Sequence, residues 1–260
     1  ERFIPKGGQF PVKGHCLNSA LHSVPSCQAI VKKAVAARLG AKYGLNTLPE
    51  TGALYQIQFS IMKDTVTLML DTSGSGLYKR GYRAHGVDAP LRETLAAAMV
   101  ILSRYRGRDP LCDPFCGSGT IIIEAATIAC NMAPGLNRRF GFERFRGFDS
   151  TAWQRIKKEA RMAVNFDVPV NLAGSDISTL IVDRAQKNAV LAGISQWVNE
   201  GKVRFSACDA REVQPSSETP GLIVTNPPYG EQSNPKSASV ASMMKNVADN
   251  LKRNFAGWAV

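Results

Sequence analysis

The stretch LCDPFCGSGTIIIE, residues 111–124, decides the fold class of this 260-residue chain. Its apolar start predicts a short strand, Leu111–Phe115, and the isoleucines that follow predict a helix, Gly119–Met132. Gly117 and Gly119 allow a tight turn between the two and let a ligand approach the backbone without meeting a Cβ atom. Many such turns need glycine only for packing, and the third glycine of a dinucleotide fingerprint is missing. The turn therefore indicates a ligand site only in combination with its neighbours.

Strands and helices alternate from Leu91 to the end of the chain, which is typical of a parallel sheet covered on both faces. We therefore expect an α/β fold, a doubly wound Rossmann-like domain over residues 87–260. Because the last candidate strand stops with the sequence, we expect this domain to continue beyond Val260. The further predicted helices are Leu91–Tyr105, Ser178–Leu191 and roughly residues 240–255, and the further predicted strands are Asn171–Ser175, Val203–Ala207, Leu222–Thr225 and Trp258–Val260.

A small α+β domain is predicted over residues 1–86, and we expect it to be incomplete at its N-terminus. Apolar residues at helical spacing predict an amphipathic helix over Cys27–Leu39. Tyr55–Ile61 and Val66–Leu70 alternate apolar and polar residues, which predicts an antiparallel hairpin. The glycine-rich, basic stretch of residues 71–83 has no apolar period, so we place the domain boundary after it.

The chain is basic, with 32 Lys and Arg against 21 Asp and Glu, a formal net charge of +11 and a pI near 9.6. Such a surface attracts polyanions such as nucleic acid, although a solvated, solubilising face gives the same composition. No apolar run approaches the roughly 20 residues of a membrane span, so no membrane association is expected. The six cysteines contain no CxxC pair, so we expect neither a disulfide framework nor a metal site, and a reducing cytoplasm fits best.

Two acidic residues stand at predicted strand ends. Asp176 ends the strand Asn171–Ser175, where a ribose diol lies in folds of this kind, and Asp209 follows the next strand. A lone Asp at a strand end is more often a helix cap or a turn former. Because the carboxyl ends of parallel strands share one edge of the sheet, the two aspartates and the glycine turn together favour a ligand site.

The tetrapeptide Asn226-Pro-Pro-Tyr229 directly follows the apolar strand Leu222–Thr225. Its two prolines fix the backbone, so the carbonyl of Pro227 is held outward in a rigid turn. The Asn226 side-chain oxygen and this carbonyl can accept the two N–H bonds of an exocyclic amine on a nucleobase, while Tyr229 stacks on the base. The nitrogen lone pair then localises toward a methyl donor, without an acid, a metal or a covalent nucleophile. The alternative is a proline-rich turn with an ordinary hydrogen-bonded tyrosine.

These residues together resemble the S-adenosylmethionine-dependent N-methyltransferases. The chain more narrowly resembles the bacterial THUMP-domain methyltransferases that modify guanine N2 in 23S ribosomal RNA, through Arg80-Gly-Tyr-Arg83, Pro90-Leu-Arg-Glu-Thr-Leu-Ala-Ala97 and Ala133-Pro-Gly-Leu-Asn-Arg138. The resemblance runs from about Phe10 to Val260. It implies a THUMP RNA-binding domain followed by a methyltransferase domain, with S-adenosylmethionine as cofactor and ribosomal RNA as partner. It also implies a ferredoxin-like segment before the chain and more sheet after it.

By position, the resemblance implies a role for each candidate residue. Asp176 binds the ribose hydroxyls of the donor, and Asp209 lies near its adenine amine. The residues implied around the methionine part of the donor are Asp113, Pro114, Cys116, Gly117 and Gly119. Those implied to hold the target base are Asn226, Pro227 and Tyr229.

The expected activity is methyl transfer to the N2 amine of a guanine in 23S ribosomal RNA. The same tetrapeptide serves several exocyclic amines, so a transfer RNA guanine and the N6 amine of DNA adenine stay open as targets. A non-catalytic RNA-binding assembly factor with a vestigial donor site is a third possibility, which the intact turn residues disfavour.

Basic residues beside aromatic ones indicate where RNA binds. The candidates are Lys79, Arg80 and Arg83 at the domain junction, and Arg138 and Arg139 in a loop that interleaves arginine with phenylalanine as far as Arg146. This loop could equally be a phenylalanine-rich plug with a solvated arginine rim.

Overall fold

The computed structural model describes residues 2–83, 91–228 and 237–260. The chain forms two compact units, one of Glu1–Gly76 with Arg139–Gln154 and one of Leu77–Arg138 with Arg155–Val260. The first unit therefore includes a segment that the sequence alone assigns to the second domain. The boundary expected between residues 86 and 87 falls outside the described residues and stays a prediction.

The first unit contains a three-stranded sheet and one long helix. Its strands are β1 (Val12–Leu17), β2 (Ile57–Met62) and β3 (Thr65–Leu70), in the order β1-β2-β3, and its helix is α1 (Val24–Tyr43). β2 and β3 pair antiparallel, which confirms the predicted hairpin. Lys63 and Asp64 form its turn with positive φ angles, as a two-residue hairpin turn of type I′ requires. β1 pairs parallel to β2 and is not among the predicted strands.

α1 is longer than the predicted helix at both ends. It begins after Ser23, with Pro25 in its first turn, where a missing N–H costs no intrahelical bond. It ends at Gly44, which takes the left-handed conformation common after the last helical turn. Leu39 is buried in a cluster with Tyr55, so the helix covers one face of the small sheet.

The second unit is built on a parallel sheet, which confirms the predicted fold class. The sheet has the order β6-β5-β4-β7. Its strands are β4 (Leu111–Asp113), β5 (Leu172–Asp176), β6 (Val203–Ala207) and β7 (Leu222–Ile223). The helices are α2 (Glu93–Leu102), α3 (Thr120–Ala129), α4 (Ser150–Met162), which begins in the first unit, α5 (Thr179–Ala192), α6 (Ser195–Asn199) and α7 (Ser237–Asn254).

Two features of this unit differ from the expectation. α4 and α6 are additional helices, and the predicted strand Trp258–Val260 is a single bridge in which Ala259 pairs with Leu222. β7 ends two residues before Thr225, although the Val224 N–H still donates to the Cys112 carbonyl of β4. No helix within the described ranges is long and apolar enough to span a membrane.

α3 lies at the centre of the second unit's core. Its residues Thr120–Ala126 are all buried, so the first two turns of this helix are covered on every side. Leu111 and Leu172 from the sheet and Trp197 from α6 are fully buried. The indole Nε1 of Trp197 donates to the Phe166 carbonyl at 2.8 Å, which satisfies its polar atom. The glycine turn between β4 and α3 is thus fixed by packed elements at both ends.

Candidate functional site

The carboxyl edge of the parallel sheet gathers the turns that follow β4, β5 and β6. Asp176 ends β5, and Asp209 lies two residues beyond the end of β6. Main-chain hydrogen bonds connect these turns: the Cys116 N–H donates to the main chain of β5 at 2.8 Å, and the Cys208 N–H donates to the Asp176 carbonyl at 3.0 Å. The structure therefore brings the three predicted strand ends together at one edge.

The two glycines of the turn after β4 have different surroundings. Both have positive φ angles, +51° at Gly117 and +84° at Gly119, a conformation that disfavours residues with a Cβ atom. A Cβ atom at Gly119 would stand 2.9 Å from Cε1 of Phe205 and 3.0 Å from Cβ of Ala185. At Gly117 it would meet no atom within 4 Å. Gly119 is thus required for packing, whereas Gly117 faces open space that a ligand can enter.

A buried asparagine holds this turn from the side. The Asn188 side chain, in the last turns of α5, donates through Nδ2 to the Ser118 carbonyl at 3.1 Å. A hydrogen bond inside a closed packing arrangement fixes the loop more firmly than one exposed to water. This contact is not among the sequence predictions, although an asparagine on the apolar face of a helix is a signal that a buried partner exists.

Asp113 lies beneath the turn. Its side chain is 1% exposed, and Oδ1 accepts hydrogen bonds from the Thr225 hydroxyl at 2.6 Å and from the Phe115 N–H at 3.1 Å. The pKa of this carboxyl is raised to about 7: burial is the largest cause, the two hydrogen bonds lower the pKa, and the nearby Asp176 charge raises it. The geometry favours a carboxyl that holds the turn over one that touches a ligand. Pro114 and Cys116 are buried as well.

Asp176 presents more of its carboxylate. It is half-buried, and its Oδ1 accepts the Ser178 N–H at 3.0 Å, the local bond of an Asp before a helix. A carboxylate has about four acceptor positions, and the described residues fill one of them. The next residue, Ile177, is 72% exposed at the same edge, so an acceptor and an apolar side chain stand together.

Asp209 is held by Arg211, which is not among the site residues predicted from the sequence. Its Oδ1 accepts from the Arg211 N–H and from Arg211 Nε, both at 2.9 Å, and its Oδ2 accepts from Arg211 Nη2 at 2.6 Å. These bonds lower the pKa of Asp209, so the group is ionised at neutral pH. Since each carboxylate oxygen has two lone pairs, Oδ2 keeps one acceptor position.

The turn that begins at Asn226 is fastened to the glycine turn. The Val224 N–H donates to the Cys112 carbonyl at 3.1 Å, and the Thr225 hydroxyl donates to Asp113. Asn226 and Pro227 are half-buried, and Tyr229 lies outside the described residues. The role of Thr225 is not predictable from the sequence, because a hydroxyl at the end of an apolar strand gives no indication of its partner.

Three of the five arginine and lysine candidates for RNA binding are engaged inside the second unit. Arg80 pairs with Glu124 at 3.4 Å, and Arg83 pairs with Glu93 at 2.8 Å; both carboxylates are buried. Arg138 is 8% exposed. A guanidinium group already paired with a buried carboxylate has little charge left for a phosphate, so the geometry favours an internal role for Arg80 and Arg83. Lys79 and Arg139 are exposed.

The Arg80 and Arg83 pairs fasten residues 77–83 to α2 and α3. The Tyr82 hydroxyl donates to Glu124 at 3.1 Å, and Arg83 also donates to the Thr120 hydroxyl at 3.2 Å and to the Leu91 carbonyl. Burial raises the pKa of Glu124, while Arg80 and Tyr82 lower it. The motif therefore stabilises the start of the helix that follows the glycine turn.

Two family models match the chain. The model described as "RMKL-like, methyltransferase domain" matches residues 80–260, and the THUMP domain model matches residues 1–71.

Two curated relatives are longer than the chain. "Putative RNA methyltransferase YpsC" of Bacillus subtilis (strain 168) is 42% identical over 94% of the chain and 62% of its own length. "Ribosomal RNA large subunit methyltransferase K/L" of Psychromonas ingrahamii is 42% identical over 76% of the chain and 26% of its own length. The chain thus spans about three fifths of the first relative and about a quarter of the second.

Two solved structures have the same fold. The structure described as a predicted N6-adenine-specific DNA methylase from Listeria monocytogenes matches with a TM-score of 0.86 and 42% identity, over 98% of this chain and 65% of that one. The structure of SMU.472 complexed with SAH matches with a TM-score of 0.85 and 34% identity, over 99% of this chain and 66% of that one. With the family match over most of its length, the chain belongs to the RMKL-like methyltransferases that carry a THUMP domain.

Proposed function

We propose that this protein transfers a methyl group from S-adenosylmethionine to the exocyclic N2 amine of a guanine in 23S ribosomal RNA. The observation that carries the proposal is the hydrogen bond from Thr225 to Asp113, which joins the turn at Asn226 to the glycine turn. A surface suited to a donor and a surface suited to a base amine are thereby held beside each other, as group transfer requires.

The residues at the sheet edge fit this cofactor. Gly117 leaves open space where a Cβ atom would otherwise stand. Asp176 keeps acceptor positions for ribose hydroxyls, Ile177 offers an apolar face for adenine, and Asp209 keeps one acceptor position for the adenine amine. When bound, S-adenosylmethionine supplies a methyl group on a positively charged sulfur. One relative of known structure is described as a complex with SAH, the demethylated form of this cofactor.

Asn226 and Pro227 orient the base in this proposal. The Asn226 side-chain oxygen and the Pro227 carbonyl accept the two N–H bonds of the amine, which keeps its lone pair out of conjugation with the ring. The prolines hold both acceptors in place without further ordering. Tyr229 keeps its predicted role as a stacking partner of the base.

RNA is the favoured substrate class for three reasons. The chain carries a THUMP domain and a net charge of +11, and both curated relatives are named as RNA methyltransferases, one of them for large-subunit ribosomal RNA. One structural relative is described as a DNA methylase instead, so DNA must be tested as a substrate.

The test is methyl transfer by the full-length protein with labelled S-adenosylmethionine and separate pools of deproteinised ribosomal RNA, transfer RNA and DNA. We expect label in 23S ribosomal RNA, recovered as N2-methylguanosine after digestion. Label confined to transfer RNA or DNA would overturn the proposed substrate. Absence of label from every pool would overturn the proposed activity.

Asn226→Ala tests whether the turn at Asn226 holds the base while the glycine turn holds the donor. Removing one acceptor that acts on the reacting group should lower the transfer rate by roughly 10²–10³-fold. The affinity for S-adenosylhomocysteine, measured by calorimetry, should stay within about twofold because Asn226 lies outside the donor turn. The exposed Asn199→Ala serves as the matched control. A parallel loss of donor affinity would contradict the assignment.

A further inference from the structure

Residues 139–146, which we name the arginine segment, lie within the methyltransferase match but belong to the first unit. The N–H groups of Gly141 and Phe142 donate to two consecutive carbonyls of the glycine-rich stretch 71–76, at 3.2 and 2.9 Å. A Cβ atom at Gly141 would stand 3.1 Å from the Gly74 nitrogen. The glycine-rich stretch therefore serves as a docking site for the arginine segment, which explains its lack of an apolar period.

Aromatic side chains hold the arginine segment against the rest of the first unit. Phe145 stacks on the buried Tyr55 with ring centroids 4.5 Å apart, and the Tyr55 hydroxyl oxygen accepts the Arg146 N–H at 3.0 Å. Phe142 lies 5.4 Å from Phe140 and 5.0 Å from Trp153, centroid to centroid. These rings pack against one another and against the first unit, so the geometry favours the plug over base-stacking aromatic residues.

The arginines of the segment are exposed to solvent and form no ion pair with a described residue. Arg139, Arg144 and Arg146 are exposed, and their guanidinium groups make no hydrogen bond or ion pair with any described residue. The two carboxylates nearby cap main-chain groups instead: Glu143 accepts the Phe140 N–H at 2.7 Å, and Asp149 accepts the Ala152 N–H at 2.9 Å. Three positive charges thus stand on a backbone that is already fixed.

We propose that Arg139, Arg144 and Arg146 bind phosphate groups of the substrate RNA, so that the arginine segment extends the RNA-binding surface of the first unit. This inference rests on the proposed function, since it takes the substrate to be RNA. Guanidinium groups bind phosphate oxygens in pairs of parallel hydrogen bonds. A backbone pinned before binding loses little conformational entropy when the phosphates arrive.

The test compares three versions of the full-length protein. One carries Arg139→Ala, Arg144→Ala and Arg146→Ala, and one carries the same three positions as lysine. A control carries Lys158→Ala, Lys187→Ala and Lys252→Ala, which are exposed on the second unit and lie outside the proposed RNA-binding domain. The alanine variant and the control lose the same formal charge. The dissociation constant for deproteinised 23S ribosomal RNA is measured by filter binding between 50 and 200 mM KCl. Melting temperature and S-adenosylhomocysteine affinity report on folding and on the donor site.

Each phosphate contact contributes about 0.7–0.9 to the slope of log affinity against log salt. Loss of three contacts should therefore make the fall in affinity between 50 and 200 mM roughly 20–40-fold smaller in the alanine variant than in the wild type. The lysine variant should recover most of the slope because it keeps the charges. Melting temperature and donor affinity should not change.

A wild-type slope in the alanine variant would overturn the proposal, as would an equal reduction in the control or a lysine variant that recovers nothing at an unchanged melting temperature. Methyl transfer is measured separately on the wild type. Absence of transfer to RNA refutes the proposed function but leaves the comparison of salt slopes valid, so the two failures are distinguishable.

Discussion

Substituting alanine at each glycine of the turn after β4 should separate stability from donor binding. Gly119→Ala places a Cβ atom 2.9 Å from Phe205 and 3.0 Å from Ala185 at a φ of +84°. The left-handed conformation costs about 1–2 kcal/mol for a residue with a side chain, and overpacking adds about 1–3 kcal/mol. Gly117→Ala carries only the first cost, because its Cβ atom meets nothing within 4 Å. Both variants gain the same small amount from a stiffer unfolded chain.

We therefore expect the free energy of unfolding, measured by urea denaturation, to be about 1–3 kcal/mol lower for Gly119→Ala than for Gly117→Ala. Calorimetric titration with S-adenosylhomocysteine should show weaker binding for Gly117→Ala than for Gly119→Ala, since the new methyl group at residue 117 occupies the space proposed for the ligand. Each variant acts as the control for the other. The reasoning is refuted if Gly117→Ala is the less stable of the two, or if it binds the cofactor product as tightly as the wild type.

Three further outcomes follow from buried polar contacts. Thr225→Val removes a hydrogen bond to a buried carboxyl, so it should lower the unfolding free energy by about 1.5–3 kcal/mol and slow methyl transfer. Thr225→Ser should keep the stability and the transfer rate of the wild type, and equal behaviour of the two variants would contradict the role of the hydroxyl. The pKa of Asp113 is raised from 3.8 to about 7, so its contribution to stability is fully present below pH 3.8 and is lost as pH rises toward 7. Asp113→Asn should remove that loss, so the unfolding free energy of the variant should rise relative to that of the wild type between pH 4 and pH 7. If urea titrations give a constant difference across this range, the carboxyl does not titrate there. Arg80→Ala leaves Glu124 buried without its cation and should cost about 3–5 kcal/mol, while the exposed Lys79→Ala should stay within about 0.5 kcal/mol in the same denaturation assay.

The sequence predicts the second unit's sheet well because its signals are local. Apolar strands, a Gly-x-Gly turn and aspartates after two strands need no knowledge of distant residues, and the parallel arrangement then places them at one edge. β1 was harder to foresee, since its inward side chains are Val12, Gly14 and Cys16, a weak apolar stripe, and its partner β2 lies some forty residues later. Strands of this kind are recognised only by their pairing.

The side-chain contacts of the site depend on tertiary structure that no spacing reveals. Arg80 and Arg83 share the composition of an RNA-binding patch, yet their carboxylate partners on α2 and α3 become visible only in three dimensions. One local signal existed: Glu124 stands inside an isoleucine-rich helix, where an acidic side chain needs a cation. The contact between Arg211 and Asp209 is equally hidden in the sequence, because it depends on a turn that places the guanidinium group against the carboxylate two residues earlier.

The return of residues 139–154 to the first unit has a consequence for how the chain matures on the ribosome. Synthesis proceeds from the N-terminus, and domains tend to fold as units once their last residue has emerged. The first unit lacks its aromatic plug until Gln154 has been made, well after Gly76. Its completion is therefore delayed until the β4–α3 turn has already left the exit tunnel, and a protein cut after residue 76 would expose the Tyr55 ring that Phe145 covers.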